Sequence, residues 1–184
     1  TPSLMSSKQL ENLIKELDDN FDLSHIKEFT IEANPGEAPE ERLKSFKSLG
    51  VNRVSMGVQS LNEDLLKFLT RIHGKDEVLK TFKVLRKVGF DNINCDLIFN
   101  IPNQTLQIWE NDLKDVIQLE PEHLSCYSLT VEKGTQLYNY VNSGKVKMPS
   151  NDKSSELYRY TQSLMSDYGY EQYEISNWSK PKLE

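Results

Sequence analysis

The chain has 184 residues, enough for one domain with its own core, and an ordinary balance of apolar and charged residues that excludes a disordered or low-complexity segment. Its net charge of −6, with no cluster of Lys and Arg, gives no electrostatic footprint for nucleic acid. No apolar run is long enough to cross a bilayer and no signal peptide is visible, so the expected location is the cytoplasm.

The first segment reads as a helix capped by Ser6 or Ser7, with Leu10, Leu13, Ile14 and Leu17 at helical spacing. A strand over 28–33 follows, stopped by the turn signal Asn34-Pro35-Gly36. Pro39-Glu40-Glu41 opens a second helix, with Leu43, Phe46 and Leu49 on one face and Gly50 as its C-terminal stop. The pattern then repeats. A strand over 52–58 ends in Gln59-Ser60, and a short helix spans 63–69. A longer helix over 76–88 closes at Gly89, and a strand over 92–99 is broken by Pro102. A helix over 106–119 ends at Glu120-Pro121, before a strand over 123–130. Beyond it the rhythm changes to a short helix over 134–143, a loop over 144–152, an amphipathic helix over 154–168 and a last strand over 170–176.

Strands alternating with helical patterns imply an α/β fold on a parallel sheet. In such folds the C-terminal strand ends face the ligand, so polar residues there are the candidates. Glu32 sits in a strand suited to burial, where a carboxylate needs donors: backbone amides, Arg53, or a ligand's hydroxyls or ammonium. Asp96, inside Asn94-Cys95-Asp96-Leu97-Ile98, poses the same problem and could pair with Arg53 or Arg71. Gln59 ends a strand, a place where glutamines also simply cap loops, and Arg71 follows a helix whose dipole it could complement. His73 could be a base, a cap or solvated, and with no partner visible it reads as structural, while His25 and His123, likewise partnerless, offer less still. Cys95 and Cys126 lie in apolar strands, not in a knuckle or Cys-x-x-Cys spacing, and read as buried reduced thiols. There is no P-loop, no glycine-rich dinucleotide fingerprint, no nucleophile elbow and no zinc motif.

Several strings together are more specific. They are Thr30-Ile31-Glu32-Ala33-Asn34-Pro35, Arg53-Val54-Ser55-Met56-Gly57-Val58-Gln59-Ser60, Arg71-Ile72-His73, and Asp96-Leu97-Ile98-Phe99-Asn100-Ile101-Pro102. His123-Leu124-Ser125, Glu132-Lys133-Gly134-Thr135 and Tyr173-Glu174-Ile175-Ser176-Asn177 continue the series in order. This series resembles the radical S-adenosylmethionine (SAM) family of oxygen-independent coproporphyrinogen III oxidases and their haem-chaperone relatives. The resemblance implies a partial TIM barrel truncated to its later βα units over 1–132, with a C-terminal extension of the same domain, a helix and a strand, over 133–184. It implies that Thr1, Glu32, Gln59, Arg71, Asp96 and Thr130 line the SAM region. In the full-length protein it implies SAM and a [4Fe-4S] cluster as cofactors, and haem or coproporphyrinogen as ligand. Haem-accepting client proteins would be partners of a chaperone, whereas a coproporphyrinogen III dehydrogenase would decarboxylate two propionates with SAM radicals. The strings resemble the chaperone branch more closely.

The family's Cys-x3-Cys-x2-Cys motif has no counterpart in the sequence, so none of the cluster ligands is expected here and the chain alone should be inert. The chain opens at Thr1 without an initiator Met and closes on Leu183-Glu184, which reads as a tag scar, so both ends look excised. The first two barrel strands would then be missing and one sheet edge left open.

Overall fold

The structure, a computed structural model, describes residues 1–182; Leu183 and Glu184, the expected scar, lie outside the described residues. After a single 3-10 turn at Pro2–Leu4, helix α1 (Ser7–Asn20) starts in a capping box. Ser6 Oγ accepts from Gln9 N, and Gln9 Oε1 accepts from Ser6 N, so two of the donors that begin a helix unpaired are satisfied.

The βα rhythm follows as β1 (Thr30–Ala33), α2 (Glu40–Ser48), β2 (Arg53–Gln59), α3 (Glu63–Phe68) and α4 (Lys75–Val88). It continues through β3 (Ile93–Phe99), α5 (Leu106–Ile117), β4 (His123–Ser128) and α6 (Gln136–Asn142). Gly89 closes α4 with φ 96, a left-handed stop that suits glycine. Last come α7 (Asn151–Asp167), β5 (Glu171–Glu174) and β6 (Asn177–Ser179).

The strands form one six-stranded sheet in the order β1-β2-β3-β4-β6-β5. The first four are parallel and adjacent in chain order, while β6 lies antiparallel to β4 and β5 antiparallel to β6. The sheet therefore ends on β1, as expected of an open edge, with the 3-10 turn packed beside it.

Two expectations are corrected. The helix expected over 154–168 starts at Asn151, because Ser150 accepts from Lys153 N and caps it there. The single strand expected over 170–176 is a hairpin that turns at Ile175 and Ser176. Glu174 fixes that turn, its Oε2 accepting from Ser176 N at 3.0 Å and from Asn177 Nδ2 at 2.6 Å.

The core lies on one face of the sheet. Val54, Met56, Ile93, Cys95, Leu97 and Leu124 point from the strands into helix side chains that include Phe46, Leu85, Trp109 and Met165. Trp109 is fully buried and donates from Nε1 to Thr161 Oγ1 at 2.8 Å, tying α5 to α7. Among the described residues no helix is long and apolar enough to cross a membrane.

Candidate functional site

Strand alternation decides what faces the other side of the sheet. On β3 the residues between the core positions are Asn94 and Asp96, and on β4 they are His123, Ser125 and Tyr127. With Glu32 of β1 and Arg53, Ser55 and Gln59 of β2, they line a hollow of about 320 Å³. Tyr173 and Asn177, from the hairpin, close its far side. Every lining residue comes from a strand, so this is the helix-free face.

Asp96 sits at the centre of a neutral hydrogen-bond network. Its Oδ2 accepts from Ser55 Oγ at 2.9 Å and its Oδ1 from Asn94 Nδ2 at 2.8 Å. The pairing with Arg53 or Arg71 weighed from the sequence does not occur. Arg53 instead donates to Thr30 Oγ1 at 3.3 Å and lies 3.7 Å from Glu28. Loss of water raises the Asp96 pKa above the usual carboxylate range, and the Ser55 and Asn94 hydrogen bonds hold it down only in part.

Glu32 departs from its expected burial. It is exposed, because β1 is the edge strand and nothing among the described residues covers its hollow-facing side. The burial cost anticipated for it therefore does not arise. Its carboxylate faces the hollow and has no hydrogen-bond partner among the described residues.

At the C-terminal rim, β2 carries an irregularity between Met56 and Gln59, and Gln59 takes φ 66. A Cβ on Gly57 would lie 2.9 Å from both Asn34 Oδ1 and Gln59 Nε2, so glycine is what lets these two amides close over the strand. Asn34 then gathers the rim. Its Nδ2 donates to Thr1 Oγ1 at 3.0 Å and to Glu37 Oε1 at 2.8 Å, and its Oδ1 accepts from Arg71 Nη1 at 3.2 Å.

Of the six expected positions, Glu32, Gln59 and Asp96 thus share the hollow. Thr1 and Arg71 meet at Asn34 just outside its lining. Thr130 does not join them: β4 ends at Ser128, and Thr130 is exposed beyond it.

The residues that sequence reasoning missed are Ser55, Asn94, His123, Ser125, Tyr127, Tyr173 and Asn177. His123, read as partnerless, is buried with both ring nitrogens engaged, Nδ1 at 2.6 Å from Asn94 Oδ1 and Nε2 at 2.5 Å from Tyr173 Oη. Burial, with a smaller push from the Arg53 charge, lowers its pKa to about 4. For Asn94 and Ser125 the available signal was a polar residue two places before Asp96 on β3 or opposite it on β4. His73 is structural: buried, with Nε2 3.1 Å from Val58 O.

The cysteines lie on the opposite, helix-covered face. Cys95 and Cys126 are buried, and loss of water pushes both thiols well above their usual range. Among the described residues no group of three or more His, Cys, Asp or Glu could hold a metal ion. The residues present therefore do not fit an iron–sulfur cluster, whereas the donors and free carboxylate of the hollow fit a polar ligand carrying a cation and hydroxyls.

The sequence profile of the radical SAM superfamily matches residues 1–116. The chain is 40% identical to the heme chaperone HemW of Bacillus subtilis (strain 168), over 100% of this chain and 49% of that protein. It is 38% identical to the heme chaperone HemW of Lactococcus lactis subsp. lactis (strain IL1403), over 100% of this chain and 48% of that protein. Among solved structures, coproporphyrinogen III oxidase (HemN) from Escherichia coli, described as a radical SAM enzyme, superposes with a TM-score of 0.87 at 27% identity. That match covers 100% of this chain and 42% of the oxidase. The α/β architecture is thus a piece of the radical SAM partial barrel, and the chain spans about half the length of the curated relatives it matches.

Proposed function

Because the chain belongs to the radical SAM superfamily, we propose that its polar hollow takes S-adenosylmethionine and that the full-length protein is a cytoplasmic haem chaperone. One observation carries the first part: two carboxylates, Glu32 and Asp96, open into a single hollow on the helix-free face. SAM supplies an ammonium, a sulfonium, a carboxylate and a ribose diol. Glu32 has no hydrogen-bond partner among the described residues and suits the ammonium. Asp96 keeps lone pairs free after accepting from Ser55 and Asn94, and suits hydroxyl donors. Gln59 offers an amide at the rim, Arg53 brings a positive charge into the lining, and Arg71, held by Asn34 just outside it, suits a ligand carboxylate. Thr1 shares that anchor through Asn34.

A [4Fe-4S] cluster of the family's kind would need ligands that these residues do not provide, so the radical chemistry is assigned to the full-length protein. The haem assignment is supported by identity of 38–40% with proteins named heme chaperones, against 27% with the coproporphyrinogen oxidase. The dehydrogenase remains the second reading, because the oxidase superposes over the whole chain. The test is to offer haem and coproporphyrinogen III separately to the full-length, cluster-loaded protein. Stable haem binding without decarboxylation is expected; decarboxylation without haem binding would overturn the chaperone assignment.

A further inference from the structure

We propose that His123 and Tyr173 are positioning residues for Asp96: together they hold the Asn94 amide in the orientation that directs its hydrogens at the Asp96 carboxylate.

The network has one self-consistent direction. Asp96 Oδ1 needs a donor, so Asn94 turns Nδ2 toward it at 2.8 Å, and the same Nδ2 donates to Ser55 Oγ at 2.8 Å. That leaves Asn94 Oδ1 facing His123 Nδ1 at 2.6 Å, where it accepts the ring hydrogen, with the Ser125 hydroxyl a longer second donor at 3.2 Å. A neutral imidazole carrying its hydrogen on Nδ1 presents Nε2 as an acceptor. Tyr173 Oη–H donates to that nitrogen at 2.5 Å. A hydrogen bond made by Tyr173 on β5 thus reinforces the donor pattern at a carboxylate on β3.

The fold takes trouble to put Tyr173 there. The hairpin register shifts between Gln172 and Glu174, so Tyr173 is the extra residue of a bulge, and its ring reaches over β6 to meet the His123 ring edge-on with centroids 5.5 Å apart. The ring of His123 is buried and held neutral, so its state is a choice between two tautomers. Removing the Tyr173 hydroxyl removes the donor that supports the Nδ1-protonated one. With the hydrogen on Nε2, Nδ1 becomes an acceptor and Asn94 turns its NH2 to the ring. Its carbonyl then faces Asp96 and Ser55, and the carboxylate loses a donor and gains a repulsive neighbour.

The experiment uses this chain labelled with ¹⁵N at histidine and ¹³C at aspartate carboxyls, as wild type and as Tyr173→Phe. Tyr173 is half exposed, and the substitution keeps its ring. The expected wild-type result is a neutral, Nδ1-protonated His123 between about pH 5 and 8. In Tyr173→Phe the Nε2-protonated form should grow and the Asp96 midpoint should rise by about one pH unit. Glu32 and Arg53 face the same hollow from β1 and β2, Tyr127 from β4, with Glu28 beside Arg53 and Glu174 next to Tyr173. All are unchanged in the variant, so the difference reports the relay. A wild-type ring protonated on Nε2, or an Asp96 midpoint equal in the two proteins, would overturn the proposal. Only the ligand-facing role of Asp96 rests on the SAM reading. If wild type fails to bind SAM, that reading fails, while the tautomer and the Asp96 midpoint still decide this one.

Discussion

The two faces of one sheet differ in what they ask of their residues. On β3, Ile93, Cys95, Leu97 and Phe99 pack into the dry layer beneath the helices, while Asn94 and Asp96, alternating with them, meet a hollow. The covered face is held by apolar burial and tolerates no lost volume. The open face is held by hydrogen bonds whose free energy partly cancels against desolvation, so its less buried carboxylates, Glu32 and Asp96, can change with a smaller effect on stability than on binding. Stability and function are thereby separated by a side-chain period of two residues.

The sharpest way to break this contrast is Trp109→Ala. It empties a fully buried site and strips Thr161 of its donor, and should cost about 3–5 kcal/mol in urea denaturation. Asp96→Asn on the other face should change stability by less than about 1 kcal/mol at pH 7 while weakening SAM binding at least about tenfold.

Next come two buried groups whose pH dependences oppose. Asp112, on the covered side, accepts from Ser60 Oγ at 2.5 Å and Leu61 N at 3.0 Å, yet burial lifts its pKa to about 6. A carboxyl raised in the fold contributes stability that is full below its ordinary value of 3.8 and is lost as pH rises through about 6. His123, on the hollow side, is lowered from 6.5 to about 4, so its contribution is full above 6.5 and is lost as pH falls toward 4. Each amounts to roughly 3 kcal/mol at its limit, and in wild type the His123 slope is opposed by Asp112 together with the likewise raised Asp96. Asp112→Asn should therefore leave a stability curve that climbs from pH 4 to 6.5, and His123→Gln one that descends from pH 4 to 6, both read from urea midpoints across that range. A curve sloping no more upward than wild type in Asp112→Asn, or no more downward in His123→Gln, would break the assignment. The smallest expected effect is Glu32→Gln, within about 0.5 kcal/mol of wild type by thermal unfolding, since the side chain is exposed and unpartnered.

Much of this was legible in the sequence, for identifiable reasons. The βα rhythm is written in helical periodicity between short apolar runs, and the stops at Gly50 and Gly89 fell where a left-handed residue is required, with φ 99 and φ 96. Glu32, Gln59 and Asp96 could be singled out because polar groups at the ends of parallel strands stand out against apolar neighbours. The hairpin after α7 was not legible. Its turn is Ile175-Ser176, with neither Asn-Gly nor Asp-Gly, and it is held by the Glu174 side chain rather than by turn propensity. Two relay partners were hidden for the same reason. Tyr173 reaches His123 only because a bulge re-aims it, and bulges leave little trace in residue types. Glu32 was legible as a site residue but not in its energetics, because nothing in its own strand says that β1 lies at an edge.

The most direct measurement is a titration of SAM into ¹⁵N-labelled chain, followed by amide shifts. The account expects saturable shifts centred on Glu32, Ser55, Gln59 and Asp96, abolished in Glu32→Gln/Asp96→Asn without loss of the folded spectrum. Shifts centred instead on the apolar groove lined by Ile14, Leu17 and Phe29, or unchanged binding in the double variant, would contradict it.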